Sequence, residues 1–226
     1  MGQVCLCAIH SIRGYRRLPR ALVALTAALV IVAVDVAPAL ASSPPFVQVS
    51  GSPFSTGSGS NPYTVAFSPS GSLLAVANYV ASGTVSVFSV DSATGALSQV
   101  AGSPFSAGAD TMSVTFSPSG NLLAATNNDG SSSSVSMFSV DQTTGALTQV
   151  NGSPFPTGTE APYSVAFSPS GNLLATANYM GTVSVFSVSS TGILSQVSGS
   201  PFSVGSGVGP YSVAFSPSGN LLATAI

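Results

Sequence analysis

The chain has 226 residues but only four basic side chains, one histidine, two cysteines and no tryptophan. The basic residues, the histidine and the cysteines all lie in the first twenty positions: Arg13, Arg16, Arg17, Arg20, His10, Cys5 and Cys7. Beyond residue 41 there are five carboxylates and no cation, a formal charge of 0 − 5 = −5. Because binding to nucleic acid or anionic lipid requires cations, we expect neither partner. Because no cysteine lies beyond residue 41, the stability of that part must come from its apolar core and from hydrogen bonds between backbone groups.

The first 41 residues have the order of a secretory signal peptide. Arginines precede the apolar run 21–34, and the small residues Ala39 and Ala41 follow it with the spacing of a cleavage site. The alternative is an uncleaved membrane anchor, but Asp35 ends the run after fourteen residues, short of the roughly 18 to 20 that a bilayer requires. We therefore expect residues 1–41 to be removed and the protein to be secreted, periplasmic or on the cell surface, with no membrane contact after cleavage.

The remaining chain repeats a unit of about fifty residues. The word GSPF begins at Gly51, Gly102, Gly152 and Gly199, and FSPSG begins at Phe67, Phe116, Phe167 and Phe215. Each unit contains four short runs of strand character, which in the first unit are 63–68, 73–78, 84–90 and 96–105. The third run is apolar on both faces, with Val85 and Val87 on one and Phe88 and Val90 on the other. The pattern predicts an all-β propeller, because four-stranded antiparallel blades bury both faces by stacking.

We expect blades at approximately 55–105, 106–155 and 156–202 and a partial blade at 203–226, about three and a half in all. Pro69 and Gly71 predict a tight turn between the first two strands. Asp91 and Asp141 are expected to accept backbone N–H groups in the turns that lead to the fourth strands.

The stretch NPYTVAFSPSGSLLAVANYVASGTVSVFSVDSATGAL resembles the repeat of the YVTN and lactonase-like β-propellers, and the resemblance extends over residues 46–226. It implies a ring of about seven blades and suggests a lactonase of the 6-phosphogluconolactonase type. The chain departs from the pattern where serine replaces the usual aspartate of the turn, at Ser70, Ser119, Ser170 and Ser218. No histidine or arginine remains after residue 41 to match a site for a phosphorylated sugar acid, although a carboxylate can still activate water.

The last sixteen residues before Ile226 repeat residues 162–177 word for word, and Ile226 then stands where the earlier copy has Asn178. The fourth unit supplies two strand runs, and the apolar edge of LLATA would stay unpaired, which natural sheets avoid. We therefore expect a truncated reading of a longer gene.

The loops before the first strands are expected to reach one rim of the central channel, where propellers gather ligands. Six residues in or beside these loops form the predicted ligand site: Asp110, Glu160, Asn61, Tyr63, Tyr163 and Tyr211. Aromatic rings and carboxylates suit a sugar or another polar small molecule. The alternative is that the tyrosines pack between blades and the acids are solvated.

The other acids are assigned to turns. Asp129 lies in an Asn-Asp-Gly turn between the second and third strands. A calcium site at Asn127, Asn128 and Asp129 would have one carboxylate, too few for a dedicated oxygen cage. We predict no catalytic residue, no metal site and no cofactor.

Three functions remain open. The first is a secreted, non-catalytic propeller with a binding or structural role, whose partner is an unknown small molecule or an envelope protein. The second is a lactonase-like hydrolase, implied by the resemblance alone. The third is a cell-surface repeat protein that binds partners through its Ser/Thr-rich face.

Overall fold

The structure is a computed structural model that describes residues 4–5, 28–30, 32–33, 47–158, 161–205 and 209–226. It is built almost entirely of antiparallel strands, with one turn of 3₁₀ helix at Gly130–Ser132 within the described ranges. No helix in this part of the chain has the length and apolar character to cross a bilayer.

Five short strands precede the repeated sheets: β1 (Val4–Cys5), β2 (Ala28–Val30), β3 (Val32–Ala33), β4 (Val47–Gln48) and β5 (Phe54–Ser55). Strand β2 pairs antiparallel with β5, β3 pairs antiparallel with β4, and β1 is parallel to β2. Strands β1 to β3 fall within the predicted leader, and the rest of that segment lies outside the described residues.

Three sheets of five strands follow, and we call them blades 1, 2 and 3. In each, the first strand pairs with the second, the second with the third, and the third with a fourth strand that is broken in two. Blade 1 contains β6 (Pro62–Phe67), β7 (Leu73–Asn78), β8 (Thr84–Val90), β9 (Leu97–Gln99) and β10 (Phe105–Ser106). Blade 2 contains β11 (Thr111–Phe116), β12 (Leu122–Asn127), β13 (Ser134–Val140), β14 (Leu147–Gln149) and β15 (Phe155–Pro156). Blade 3 contains β16 (Pro162–Phe167), β17 (Leu173–Asn178), β18 (Thr182–Val188), β19 (Leu194–Gln196) and β20 (Phe202–Ser203).

A two-stranded sheet completes the series, with β21 (Ser212–Phe215) antiparallel to β22 (Leu222–Ala225). Within the described residues β22 pairs with β21 alone, and Leu221 and Ile226 beside it are exposed. Three complete blades and half of another agree with the predicted fold, and the prediction of an incomplete all-β propeller is confirmed.

The blades are held together by apolar side chains on both of their faces. Val85 and Val87 of β8 belong to a core that blade 1 shares with blade 2, including Leu123. Phe88 points to the opposite face, where it packs with Leu74. The predicted division of the third strand between two buried faces is therefore correct, and it explains why a single blade is unstable without neighbours.

The fourth run, predicted as one strand over 96–105, is instead divided into β9 and β10. A turn over residues 100–103 separates them, and Gly102 takes a φ of 84° there. Ser103 Oγ then accepts the N–H of Val87 at 2.9 Å, so a side chain replaces a backbone acceptor in the ladder. The same bond recurs at Ser153 and Ser200. This role of the serine explains the recurring word GSPF, which strand periodicity alone does not reveal.

The predicted turns are confirmed. In the first FSPSG motif, the hydroxyl of Ser68 accepts a hydrogen bond from the N–H of Leu73 at 3.0 Å, and Gly71 has a φ of 72°. The carboxylate of Asp91 accepts N–H groups from Ala93 and Thr94, at 3.0 and 2.8 Å. Asp141 accepts two in the same way.

Candidate functional site

The first strands of successive blades lie side by side and form the innermost layer of the arc. Hydroxyl groups tie them together: Thr64 Oγ1 donates to the carbonyl of Met112 at 2.9 Å, and Ser113 Oγ accepts the N–H of Val165 at 3.3 Å. Blade 3 is tied to the final half-blade by Ser164, whose Oγ accepts the N–H of Val213 at 3.3 Å. These contacts fix the spacing of the strand beginnings, where the predicted ligand site lies.

A β-bulge marks the beginning of the first strand. In blade 1, Pro62 lies opposite Asn78 and Thr64 opposite Ala77, so Tyr63 is the extra residue. Blade 3 repeats this arrangement at Tyr163. Because a bulge turns a side chain away from the regular pleat, these tyrosines depart from the alternation of the strand, and Tyr63 is exposed.

The five tyrosines beyond residue 41 form two groups of contacting rings at this end of the blades. In blade 1 the rings of Tyr63 and Tyr79 are 5.9 Å apart between centroids. The ring of Tyr163 lies 5.2 Å from that of Tyr179 and 5.4 Å from that of Tyr211, and Tyr179 and Tyr211 are 5.5 Å apart. We call this group, together with Asp110, Met112 and Asn128 of blade 2, the tyrosine mouth.

The tyrosines influence one another's ionisation. Burial raises the pKa of Tyr163, and the phenols of Tyr63, Tyr179 and Tyr79 raise it further. A hydrogen bond with the side chain of Tyr179 raises the pKa of Tyr211, and the proximity of the other phenols adds to this effect. The phenols of Tyr163 and Tyr211 therefore stay protonated at physiological pH, and their hydroxyl groups can donate or accept hydrogen bonds.

Sequence reasoning missed Tyr79 and Tyr179. The backbone N–H of Tyr79 donates to the carbonyl of Asn61 at 2.7 Å, and that of Tyr179 donates to the carbonyl of Ala161 at 2.9 Å. These bonds close the hairpin and place the residue after the second strand beside the residue before the first. The repeated word ANY, at 77–79 and 177–179, was the available signal, because antiparallel pairing makes these two positions neighbours.

Blade 2 has a different pair at the equivalent positions. Met112 replaces the first tyrosine and Asn128 the second, and Asn128 Nδ2 contacts Met112 Sδ at 3.6 Å. Asp110 precedes this strand, is partly buried, and has a φ of 51°, the only positive φ outside glycine in the described residues. Such a conformation is costly for most residues but tolerated by aspartate, and it often accompanies functional sites.

The remaining candidate residues are placed as follows. Asn61 contributes its backbone carbonyl to the Tyr79 hairpin, and Glu160 lies outside the described residues. Asp129 precedes the 3₁₀ turn between β12 and β13, as predicted for a loop. Asn127 is buried and its amide donates to Ser134 and Ser136, so it does not face the same region as exposed Asp129. Within the described ranges no three His, Cys, Asp or Glu residues come together as metal ligands.

Asn127 belongs to a buried polar network beneath the mouth. The equivalent asparagines, Asn78 and Asn178, also end the second strands and are fully buried. Each donates through Nδ2 to two hydroxyl groups of the third strand, in blade 3 those of Thr182 at 3.0 Å and Ser184 at 2.8 Å. The second hydroxyl donates onward to a carbonyl at the end of the preceding fourth strand. The residue that follows each asparagine is a mouth residue, so the network anchors the site.

Comparisons with known proteins identify the family to which this chain belongs. A family model described as lactonase, seven-bladed β-propeller, matches residues 81–225. A comparison with curated proteins gave no match.

Solved structures with the same fold include a candidate 6-phosphogluconolactonase from Bacteroides fragilis, with a TM-score of 0.67, 21% identity, and coverage of 86% of this chain and 51% of that one. A second candidate 6-phosphogluconolactonase, from Bacteroides uniformis, gives a TM-score of 0.61 at 23% identity and covers 70% of this chain and 46% of that one.

The periplasmic gluconolactonase of Pseudomonas aeruginosa gives a TM-score of 0.59 at 21% identity, with coverage of 77% and 55%. The chain thus spans about half the length of the structures it matches. Since the family model covers well over half of the sequence, the chain belongs to the lactonase family of seven-bladed β-propellers.

Proposed function

We propose that this chain is a non-catalytic, ligand-binding member of the lactonase-like propellers, and that its tyrosine mouth binds a small uncharged ring such as a sugar or a sugar lactone. The observation that carries the proposal is the clustering of five tyrosines in two groups beside the beginnings of the first strands. Exposed aromatic faces offer flat apolar area for the C–H groups of a sugar, while phenol and amide groups hydrogen-bond its hydroxyls.

Charge supports an uncharged ligand. No arginine, lysine or histidine follows residue 41, so a phosphate group at the mouth would have no side-chain cation to neutralise it. The titratable groups of the mouth are phenols and the carboxylate of Asp110. An anionic ligand such as 6-phosphogluconolactone is therefore expected to bind poorly and not to be hydrolysed.

Lactone hydrolysis is the second candidate function. It is favoured by the family and by the position of Asp110, which can serve as a base that activates water. Under this alternative the aromatic rings would hold the lactone and Asp110 would remove a proton from water. The export predicted from the sequence is an additional proposal, independent of the choice between these functions.

The experiment follows tyrosine fluorescence during titration with glucose, glucono-1,5-lactone and 6-phosphogluconolactone, together with an assay of lactone opening. We expect saturable binding of the uncharged ligands, weaker binding in Tyr211→Ala, and no opening above the spontaneous rate. Ile193→Ala is the matched control, because Ile193 is similarly exposed but lies in a turn at the opposite end of its blade. Lactone opening that disappears in Asp110→Asn would establish the hydrolase instead.

A further inference from the structure

The rings of the tyrosine mouth form platforms rather than a cage. Rings whose centroids are within about 4.5–7 Å already contact one another, so the pairs at 5.2 to 5.9 Å leave no room for a ligand between them. A ligand must lie on their outer faces. Those faces are available, since Tyr63 is 45% exposed, Tyr179 43% and Tyr211 56%.

There are two platforms, separated by one blade. The first is the pair Tyr63 and Tyr79, and the second is the group of Tyr163, Tyr179 and Tyr211. Between them blade 2 presents the contact of Met112 with Asn128, which interrupts the aromatic surface with an amide. The first strands that carry them, β6 and β16, lie on either side of β11 and are tied to it by the hydrogen bonds of Thr64 with Met112 and of Val165 with Ser113.

We infer that the two platforms are subsites for two separate rings of one uncharged oligosaccharide, which crosses the mouth from blade 1 to blade 3. The inference rests on the proposed function and specifies its ligand class. A chain of linked sugar rings repeats the same stacking face at intervals, as the platforms do, and its hydroxyls match the Asn128 amide between them. The absence of side-chain cations beyond residue 41 disfavours a polyanionic chain, and a single sugar ring would contact one platform only.

The backbone prepares both platforms before a ligand arrives. Tyr63 and Tyr163 lie on bulges, and Tyr79 and Tyr179 are fixed by backbone bonds of 2.7 and 2.9 Å. A ligand that reaches both platforms therefore gains a second contact without a large ordering cost, and its affinity should rise steeply once it is long enough.

The test is a length series of uncharged gluco-oligosaccharides of about one to five units, with α-1,4 and β-1,4 linkages, titrated into the full chain by calorimetry. For one linkage we expect affinity to increase about tenfold or more at the length that first spans both platforms. Tyr63→Ala and Tyr211→Ala should each abolish this increase. Tyr63→Phe is the matched control and should keep the increase.

The outcomes separate the two proposals. The oligosaccharide inference is overturned if the protein binds a monosaccharide but its affinity does not rise with ligand length in either linkage. It is also overturned if the rise in affinity persists in Tyr63→Ala. Either result leaves the proposed function intact. Failure of every ligand to bind overturns both. Thermal unfolding of each variant shows whether the fold is retained, which is expected for substitutions of exposed side chains.

Discussion

The buried asparagine network predicts opposite effects on the free energy of unfolding for two exchanges of threonine and valine, at residues 176 and 76. In blade 3, Thr176 Oγ1 donates to Asn178 Oδ1 at 2.9 Å, and both residues are fully buried. In blade 1 the corresponding residue is Val76, and Asn78 Oδ1 is buried without a hydrogen-bond partner in the described structure. Thr176→Val would leave a second buried acceptor unpaired, which costs about 1–3 kcal/mol. Val76→Thr supplies the missing donor and should stabilise the fold by up to about 1 kcal/mol.

Thermal unfolding at neutral pH, followed by circular dichroism, measures both effects. In a chain of this size each 1 kcal/mol corresponds to about 2–4 °C in Tm. Thr143→Val, a control at an exposed threonine, should change the free energy of unfolding by less than about 0.5 kcal/mol. The reasoning is refuted if Thr176→Val is as stable as the parent while Val76→Thr is destabilised.

Three further predictions concern the repeat and the mouth. Ser153→Ala removes the acceptor for the buried N–H of Met137 (2.9 Å) and should cost about 1–3 kcal/mol in urea unfolding; an unchanged midpoint would contradict the assigned role of the GSPF serine. The pKa of Asp141 is held below its ordinary value by the N–H groups of Thr144 and Thr143 and by the hydroxyl of Thr144. The carboxylate therefore stabilises the fold at pH values above its ordinary pKa, and this contribution is lost as the pH falls through the folded-state pKa. Between about pH 5 and 2, Asp141→Asn should therefore lose less Tm than the parent, and equal losses would refute the prediction. In an absorbance titration of the folded chain, Tyr211→Phe should remove a phenol with a raised pKa, one that ionises above about pH 10; an unchanged titration at high pH would show that Tyr211 is not in the cluster.

The fold was largely predictable from the sequence because the repeat is regular at every level. The first three strands of blade 1 begin and end within one residue of the predicted positions, since turn residues bound each run. The fourth was wrong in detail because the Ser103 side chain, rather than the backbone, completes part of the ladder. The repeat period and the alternation of polar and apolar residues do not reveal that a side chain replaces a backbone acceptor.

The two tyrosine clusters were predictable in part. The tyrosines at the beginning of the first strands, Tyr63, Tyr163 and Tyr211, were identified from their position before a repeated strand. Their ring partners Tyr79 and Tyr179 were missed because that pairing depends on the register across the hairpin. The positive φ of Asp110 was also not predictable, since nothing in its immediate sequence requires it.

Sugar binding at the mouth is tested most directly by NMR of the chain labelled with ¹³C in its tyrosine rings, during titration with sugars. All tyrosines beyond residue 41 lie in the mouth, so in the chain that begins at residue 42 every signal reports on this site. The proposed function predicts saturable shifts of these signals with glucose or glucono-1,5-lactone, no shifts with 6-phosphogluconolactone, and no accelerated opening of the lactone. Tyrosine signals that do not move with any uncharged sugar, or lactone opening above the spontaneous rate, would contradict it.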